Sequence, residues 1–271
     1  MQYNTSLLVT FLLVATSLSS QFINIESERM QTGTVRFVFK NDLNASYYNA
    51  DGEYIYDINE GVAMMLKSPD FRKKYFLLGN YGLIRAKDQD YSNSWLLHFR
   101  FNYELSKSND IYRLEAFVQS SGNQLLDVTN RNLVGAGIRL KLPWISFAKV
   151  YFGNSYMYEQ EKSDVLDASF YNHRNSSYLS FSAVLPRNEV TVVNTIYYQP
   201  LYRDFRDFTI FEEMKMEYPL SEVISLSTTF KYFYDSITPV GRKQYSSTVS
   251  LGLVLNLQSN EVSPSYPPMM R

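Results

Sequence analysis

The residues best suited to chemistry in this chain are its two histidines and a few alternating charges. His98 opens the run His98-x-Arg100-x-Asn102-x-Glu104 in "LHFRFNYEL". A histidine two to six residues from Arg and Glu could act as a general base or narrow a pore, but the same set could instead bond to itself as a polar plug. His173 precedes "RNSSYLSF", which pairs it in sequence with Ser176 and Ser177. A serine nucleophile needs a base within hydrogen-bond reach and an oxyanion site, and adjacency in a strand supplies neither. Glu213, Lys215 and Glu217 alternate along one stretch, and with Glu159 and Arg174 they suit a ladder of ion pairs better than paired acid–base catalysis. Two histidines without ligand spacing, and no cysteine, leave no zinc site or thiol chemistry. The acidic stretches "KDQD" and "EKSDVLD" lack an EF-hand pattern. The reading is therefore of no catalytic, cofactor-binding or metal-binding residue, and of a polar network instead.

The elements that would position such a network show themselves by period. From Trp95 to Leu105, Trp95, Leu97, Phe99, Phe101 and Tyr103 share one parity, while His98, Arg100, Asn102 and Glu104 share the other. Successive strand residues point to opposite faces, so one face is apolar and the other ionisable. The pattern repeats: Leu114, Ala116 and Val118 against Arg113 and Glu115; Leu226, Phe230 and Tyr232 against Ser225, Ser227 and Lys231; Val249 to Leu257 against Thr248, Ser250 and Gly252. Twelve strands are expected, near 34–44, 58–67, 73–85, 94–105, 111–119, 133–142, 149–160, 174–185, 190–199, 208–218, 223–235 and 247–257. Many exceed the usual five or six residues and match the nine to eleven of a tilted transmembrane strand. The connections after odd-numbered strands read as longer and more polar than those after even-numbered ones, and "NASYYNADGEYIYD" reads as a long first connection.

Composition narrows the class. The formal net charge of -1 over 271 residues carries no basic footprint for nucleic acid. The 23 tyrosines and 18 phenylalanines favour strands and apolar–water interfaces. "SLLVTFLLVATSLSS" is too short to cross a membrane as a helix and has the apolar run and small-residue end of a secretory signal. A soluble barrel that binds a lipophilic ligand would turn the apolar parity inward; a membrane barrel turns it to lipid. The export signal, long strands, interfacial aromatics and inward-suited small and mixed-charge residues favour the second. The lipid face and its girdle then comprise Trp95, Phe99, Phe101, Tyr103, Tyr156, Tyr158, Tyr232 and Tyr234. The lumen network comprises His98, Arg100, Asn102, Glu104, Arg113, Glu115, Glu159, Arg174, Glu213, Lys215 and Glu217.

Taken in order, "INIESERMQT", "YFLLGNYGLIRAKDQDYSN", "LHFRFNYEL", "LEAFVQ", "LVGAGIRLKL", "YFGNSYMYEQE", "HRNSSYLSF" and "TIYYQP" resemble the bacterial outer-membrane family known as domain of unknown function 481, which includes salt-induced outer membrane proteins, in its Bacteroidetes-type branch. The resemblance implies a single outer-membrane barrel and carries over no active-site residue. The tail "QSNEVSPSYPPMMR" departs from the terminal aromatic with which such barrels end. The expected organisation is a signal at 1–20, a periplasmic or lumen-associated segment at 21–33, an all-β antiparallel transmembrane barrel at 34–257 with up-and-down topology, and a polar tail at 258–271. The expected protein is a monomer in the bacterial outer membrane, partnered by lipid and the barrel-assembly machinery, without cofactor. Its expected role is an envelope structural protein or a narrow passive pore, with an enzyme acting on lipid as the rival.

Overall fold

Alternating apolar and polar residues, rich in tyrosine, phenylalanine and valine, leave the backbone groups of each strand to be satisfied by its neighbours. The chain meets that demand by closing. The computed structural model describes residues 35–50, 53–86, 89–106, 111–124, 128–143, 148–163, 167–185, 189–237 and 244–259. The expected signal, the 21–33 segment and the tail beyond 259 lie outside the described residues. Twelve strands follow one another: β1 (Phe37–Ala50), β2 (Glu53–Lys67), β3 (Lys73–Ala86), β4 (Gln89–Glu104), β5 (Tyr112–Asn123), β6 (Val128–Leu142), β7 (Lys149–Ser163), β8 (Ala168–Leu185), β9 (Val190–Leu201), β10 (Asp204–Pro219), β11 (Ile224–Asp235) and β12 (Tyr245–Gln258). Each pairs antiparallel with the next, and β1 closes on β12. Closure leaves no sheet edge, which is the condition for a sheet to stand in hydrocarbon.

The structure departs from the sequence reading at the ends of the hairpins. The stretch expected as a long first connection is strand: Asn44 pairs with Asn59 and Ala50 with Glu53, leaving 51–52 between β1 and β2. Likewise only 87–88 separate β3 from β4, and only 202–203 separate β9 from β10. The polar segments after odd strands are largely strand extensions, with 236–244 the long exception. The reason is that polar residues past the apolar band still need ladder partners, and an antiparallel hairpin can run on into water at no cost in burial. Strand lengths of up to 18 residues in β8 follow from this. The start of β1 and the end of β12 lie together at the end that carries the even-strand turns.

The outer surface is apolar. Val249, Leu251, Leu253, Leu255 and Leu257 are exposed on β12, as are Leu97, Phe99, Leu114, Val118, Val134 and Ile138 on β4 to β6. No solvated surface would carry such a band, whereas a lipid-facing one requires it. Two amide–carboxylate pairs interrupt it: Asn41 donates to Glu60 at 3.1 Å, and Asn194 to Glu212 at 2.8 Å. The buried side chains belong to the opposite parity and fill the barrel. Three apolar clusters are among them: Val35, Val38, Ala63, Met65, Phe76 and Leu78; Phe117, Leu133 and Met157; and Tyr178, Tyr197 and Phe211.

Candidate functional site

The barrel interior is the surface on which ionisable side chains converge, and register decides which of them meet. On β4, His98, Arg100 and Asn102 are buried and Glu104 is half-buried at the strand's end. His98 Nδ1 lies 3.1 Å from Gln119 Oε1, its register partner on β5, and its ring stacks on Phe117. Arg100 Nη1 reaches Glu115 Oε2 at 3.3 Å, and the guanidinium stands 5.0 Å from the Phe117 ring centroid. Arg113 Nη2 reaches Glu104 Oε2 at 3.3 Å, across a register pair.

Glu115 is the hub of this half. Arg139 Nη1 of β6 is 4.0 Å from its Oε1, and the Tyr178 hydroxyl of β8 donates to its Oε2 at 2.9 Å. Tyr178 thus reaches from β8 past β7 and β6 to β5. A glycine permits this. A Cβ on Gly153 of β7 would sit 2.0 Å from the Tyr178 ring, so the ring lies flat over a position that any larger residue would deny it. Sequence reasoning missed Tyr178, because a tyrosine among serines on the inward parity reads locally as an irregularity. Its signal is the pairing Gly153↔Tyr178, which appears only once the register is fixed.

On the far wall, β1 and β10 are bridged over β11 and β12. Lys40 Nζ reaches Glu217 Oε1 at 3.1 Å, and Lys215 Nζ reaches Asp42 Oδ2 at 2.8 Å and Glu217 Oε1 at 3.3 Å. The strands passed over present Ser227, Thr229, Ser250 and Gly252, small enough to leave room for the long side chains. A Cβ on Gly252 would fall 2.0 Å from Asn44 Oδ1. Lys231 stands 3.8 Å from Glu213, which is buried. Sequence reasoning also missed Lys40 and Asp42. Lys40 and Glu217 are 177 positions apart, a pairing that no local pattern reveals.

A third group forms toward the odd-strand hairpins. Arg131 pairs with Glu159 at 3.3 Å and Glu161 at 3.0 Å; Arg174 pairs with Glu159 at 3.7 Å and Asp207 at 3.3 Å. Asn172 also donates to Glu159 at 3.1 Å. Removing one partner from such a buried set strands a charge, at roughly 3–5 kcal/mol, so the groups hold one another in place.

The serine–histidine constellation does not assemble. His173 faces outward, with its Nδ1 2.5 Å from the Tyr156 hydroxyl and its ring against Tyr158. Ser177 donates to Asn175 Oδ1 at 2.6 Å, and Ser176, on the other face of the sheet, accepts from Gln199. Of the expected girdle, Trp95, Phe99 and Tyr156 are exposed, and Phe101, Tyr103, Tyr158, Tyr232 and Tyr234 are half-exposed. Trp95 lies across Gly122, whose added Cβ would meet its indole nitrogen at 2.5 Å. Among the described residues, no group of three or more His, Asp or Glu side chains could hold a metal ion. The arrangement ties neighbouring and distant strands together through buried ion pairs and hydrogen bonds in the barrel interior.

No protein-family model matches the chain, and no curated protein matches it. Solved structures match its fold. The translocator domain of the autotransporter NalP from Neisseria meningitidis aligns with a TM-score of 0.50 and 12% identity, over 86% of this chain and 91% of that one. An outer membrane channel from Pseudomonas putida F1 aligns with a TM-score of 0.50 and 9% identity, over 84% and 97%. The NanC porin aligns with a TM-score of 0.49 and 10% identity, over 80% and 98%. The chain is similar in fold to the first two of these, the fold being that of an antiparallel transmembrane β-barrel.

Proposed function

We propose that this protein is an outer-membrane barrel that acts as a narrow passive pore for ions and small solutes, with a structural share in the envelope. The observation that carries the reading is the set of contacts that cross the lumen: Tyr178 to Glu115, and Lys40 and Lys215 to Glu217 and Asp42. They span the interior of a twelve-stranded barrel, so any route past them is narrow and lined by polar groups. The apolar outer band and the fold's likeness to an outer membrane channel support the location. Membership of the family known as domain of unknown function 481 is part of this proposal and rests on the ordered motifs. Insertion would be by the barrel-assembly machinery, as a monomer.

Planar-bilayer recording of the purified protein tests the reading. Small, steady current steps are expected, and Tyr178→Ala, which removes one crossing, should enlarge them. Silence from both proteins would remove the pore and leave the structural role alone. Lipid hydrolysis that disappears in His98→Ala or His173→Ala would instead revive the enzyme.

A further inference from the structure

The outward face is not uniformly apolar. On β12 its parity runs from Val249 through Leu251, Leu253 and Leu255 to Leu257 without a polar residue. On β7 the same face carries Asn154 between Phe152 and Tyr156, and on β8 it carries Asn175 and Ser177 between His173 and Leu179. These polar groups are bonded in a chain. Asn154 Nδ2 donates to Ser177 Oγ at 2.8 Å and to Asn175 Oδ1 at 3.3 Å, Ser177 Oγ donates to Asn175 Oδ1 at 2.6 Å, and Asn175 Nδ2 donates to the Tyr202 hydroxyl at 3.4 Å. A carboxamide has two N–H donors and an oxygen with two lone pairs, so these bonds use only part of what Asn154 and Asn175 offer. Polar groups set against hydrocarbon cost free energy until something polar answers them.

Beside the amides, toward the odd-strand hairpins, the rings form one platform. Tyr156 stacks on Tyr202 with centroids 6.0 Å and planes 26° apart, and on His173 at 5.9 Å, while Phe205 meets Tyr202 edge-on at 6.3 Å. The Tyr202 amide donates to the His173 carbonyl at 2.9 Å, which holds the end of β9 against β8 and fixes the ring over Tyr156. Tyr156, His173, Tyr202 and Phe205 are all exposed. An interfacial anchor needs one amphipathic ring at headgroup level, as Tyr81 supplies on β3; a joined platform flanked by carboxamides is a different device.

We infer that the outer face of β7 to β9, at the odd-hairpin edge of the apolar band, is a binding site for the saccharide headgroup of a membrane glycolipid. A sugar ring has a C–H face that is drawn to the negative face of an aromatic ring, and a rim of hydroxyls that donate and accept as carboxamides and phenols do. On the other side of the amides, Phe152, Leu179 and Ile196 are register partners in turn and are exposed, so the platform runs directly into the lipid-facing surface. Its occupant therefore has acyl chains beneath a polar ring. A phospholipid supplies the chains but no ring face to lie on Tyr156 and Tyr202. The site rests on the outward face standing in lipid and not on conduction, so it stands or falls separately from the pore.

Monoglucosyl diacylglycerol, a neutral glycolipid, is the probe. The full-length protein in lauryldimethylamine oxide, a detergent without sugar, is offered this lipid and phosphatidylglycerol of the same acyl chains at equal mole fraction, and the retained lipid is counted by native mass spectrometry. Retention of the glucosyl lipid is expected at roughly tenfold or more over phosphatidylglycerol. The preference should be lost in Tyr156→Leu/Tyr202→Leu and in Asn175→Leu, each with its heat-modifiable gel mobility intact, and kept in Tyr81→Leu. Equal retention of the two lipids, or an undiminished preference in the folded double variant, would overturn the site. So would dimers that bind no glycolipid and that the same variants convert to monomers, since a second copy would then be what covers the platform. Glycolipid binding without current steps would remove the pore and keep the site.

Discussion

Leu253→Arg puts the assignment of faces to its sharpest test. Leu253 is 53% exposed, and its register partners Leu43 and Leu226 and its face neighbours Leu251 and Leu255 are exposed leucines too. That places it within the apolar band, away from both ends of β12. An arginine at the bilayer midplane costs about 2–4 kcal/mol, falling to about 0–1 kcal/mol near the interface. At about 1.4 kcal/mol for each factor of ten, the folding equilibrium should fall roughly 30-fold to 1000-fold. Leu257→Arg, one residue from the end of β12, should cost no more than about 1 kcal/mol, because its charge can reach the headgroups. Ser250→Asp, on the inward parity, should cost less than Leu253→Arg, because it is short enough to leave Lys40 and Lys215 their room and the lumen already holds charge of both signs. The assay is urea-dependent folding into phospholipid vesicles, followed by tryptophan fluorescence and by the mobility of unheated samples on gels. Equal tolerance of Leu253→Arg and Ser250→Asp would mean that the faces are reversed. A cost at Leu257 as large as at Leu253 would mean that the band is misplaced.

Other changes probe the interior and the turns. Glu115→Gln leaves Arg100 and Arg139 facing a neutral amide, and urea unfolding should show a loss of about 3–5 kcal/mol; the Glu115→Leu/Arg100→Met double variant should recover only the share due to Arg100, because Arg139 and Tyr178 still lose their contact with Glu115. Gly153→Val drives a side chain into the Tyr178 ring and should cost roughly 1–3 kcal/mol; adding Tyr178→Ala should relieve most of the clash, as a double-mutant cycle would show. In the turn between β2 and β3, the Ser68 hydroxyl, foremost, and the Arg72 amide donate to the Asp70 carboxylate and hold its pKa below the usual value. The folded-state pKa is the lower one, so the turn's stabilisation is present above the unfolded carboxyl range and is lost as pH falls through the folded value. Ser68→Ala should move the Asp70 titration upward, measured by NMR.

Much of the fold is legible in the order of the residues. Alternation is a property of neighbouring residues, and side chains alternate with a period of two wherever a strand forms, so twelve strands and their two faces can be read from Trp95-x-Leu97-x-Phe99 and its repeats. The burial of His98, Arg100 and Asn102 follows from that local parity once the apolar face is exposed. The hairpin ends are not legible in the same way, because polarity marks where the apolar band stops and says nothing about where the ladder stops. Asn44 to Asp57 is largely polar, and its ladder runs on to the Ala50–Glu53 pair.

What the tertiary structure decides is who meets whom. Arg100 and Glu115 are close because β4 and β5 are adjacent, and that pairing lies within reach of pattern reading. Tyr178 on Glu115, and Lys215 on Asp42, depend on a closed circuit of twelve registers and on Gly153 and Gly252 leaving space beneath long side chains. A strand's sequence sets which face each side chain takes, since that depends only on the chain's own pleat. Its neighbours' alignment and the curvature of the closed sheet set the distances across the lumen, and those are properties of the whole barrel.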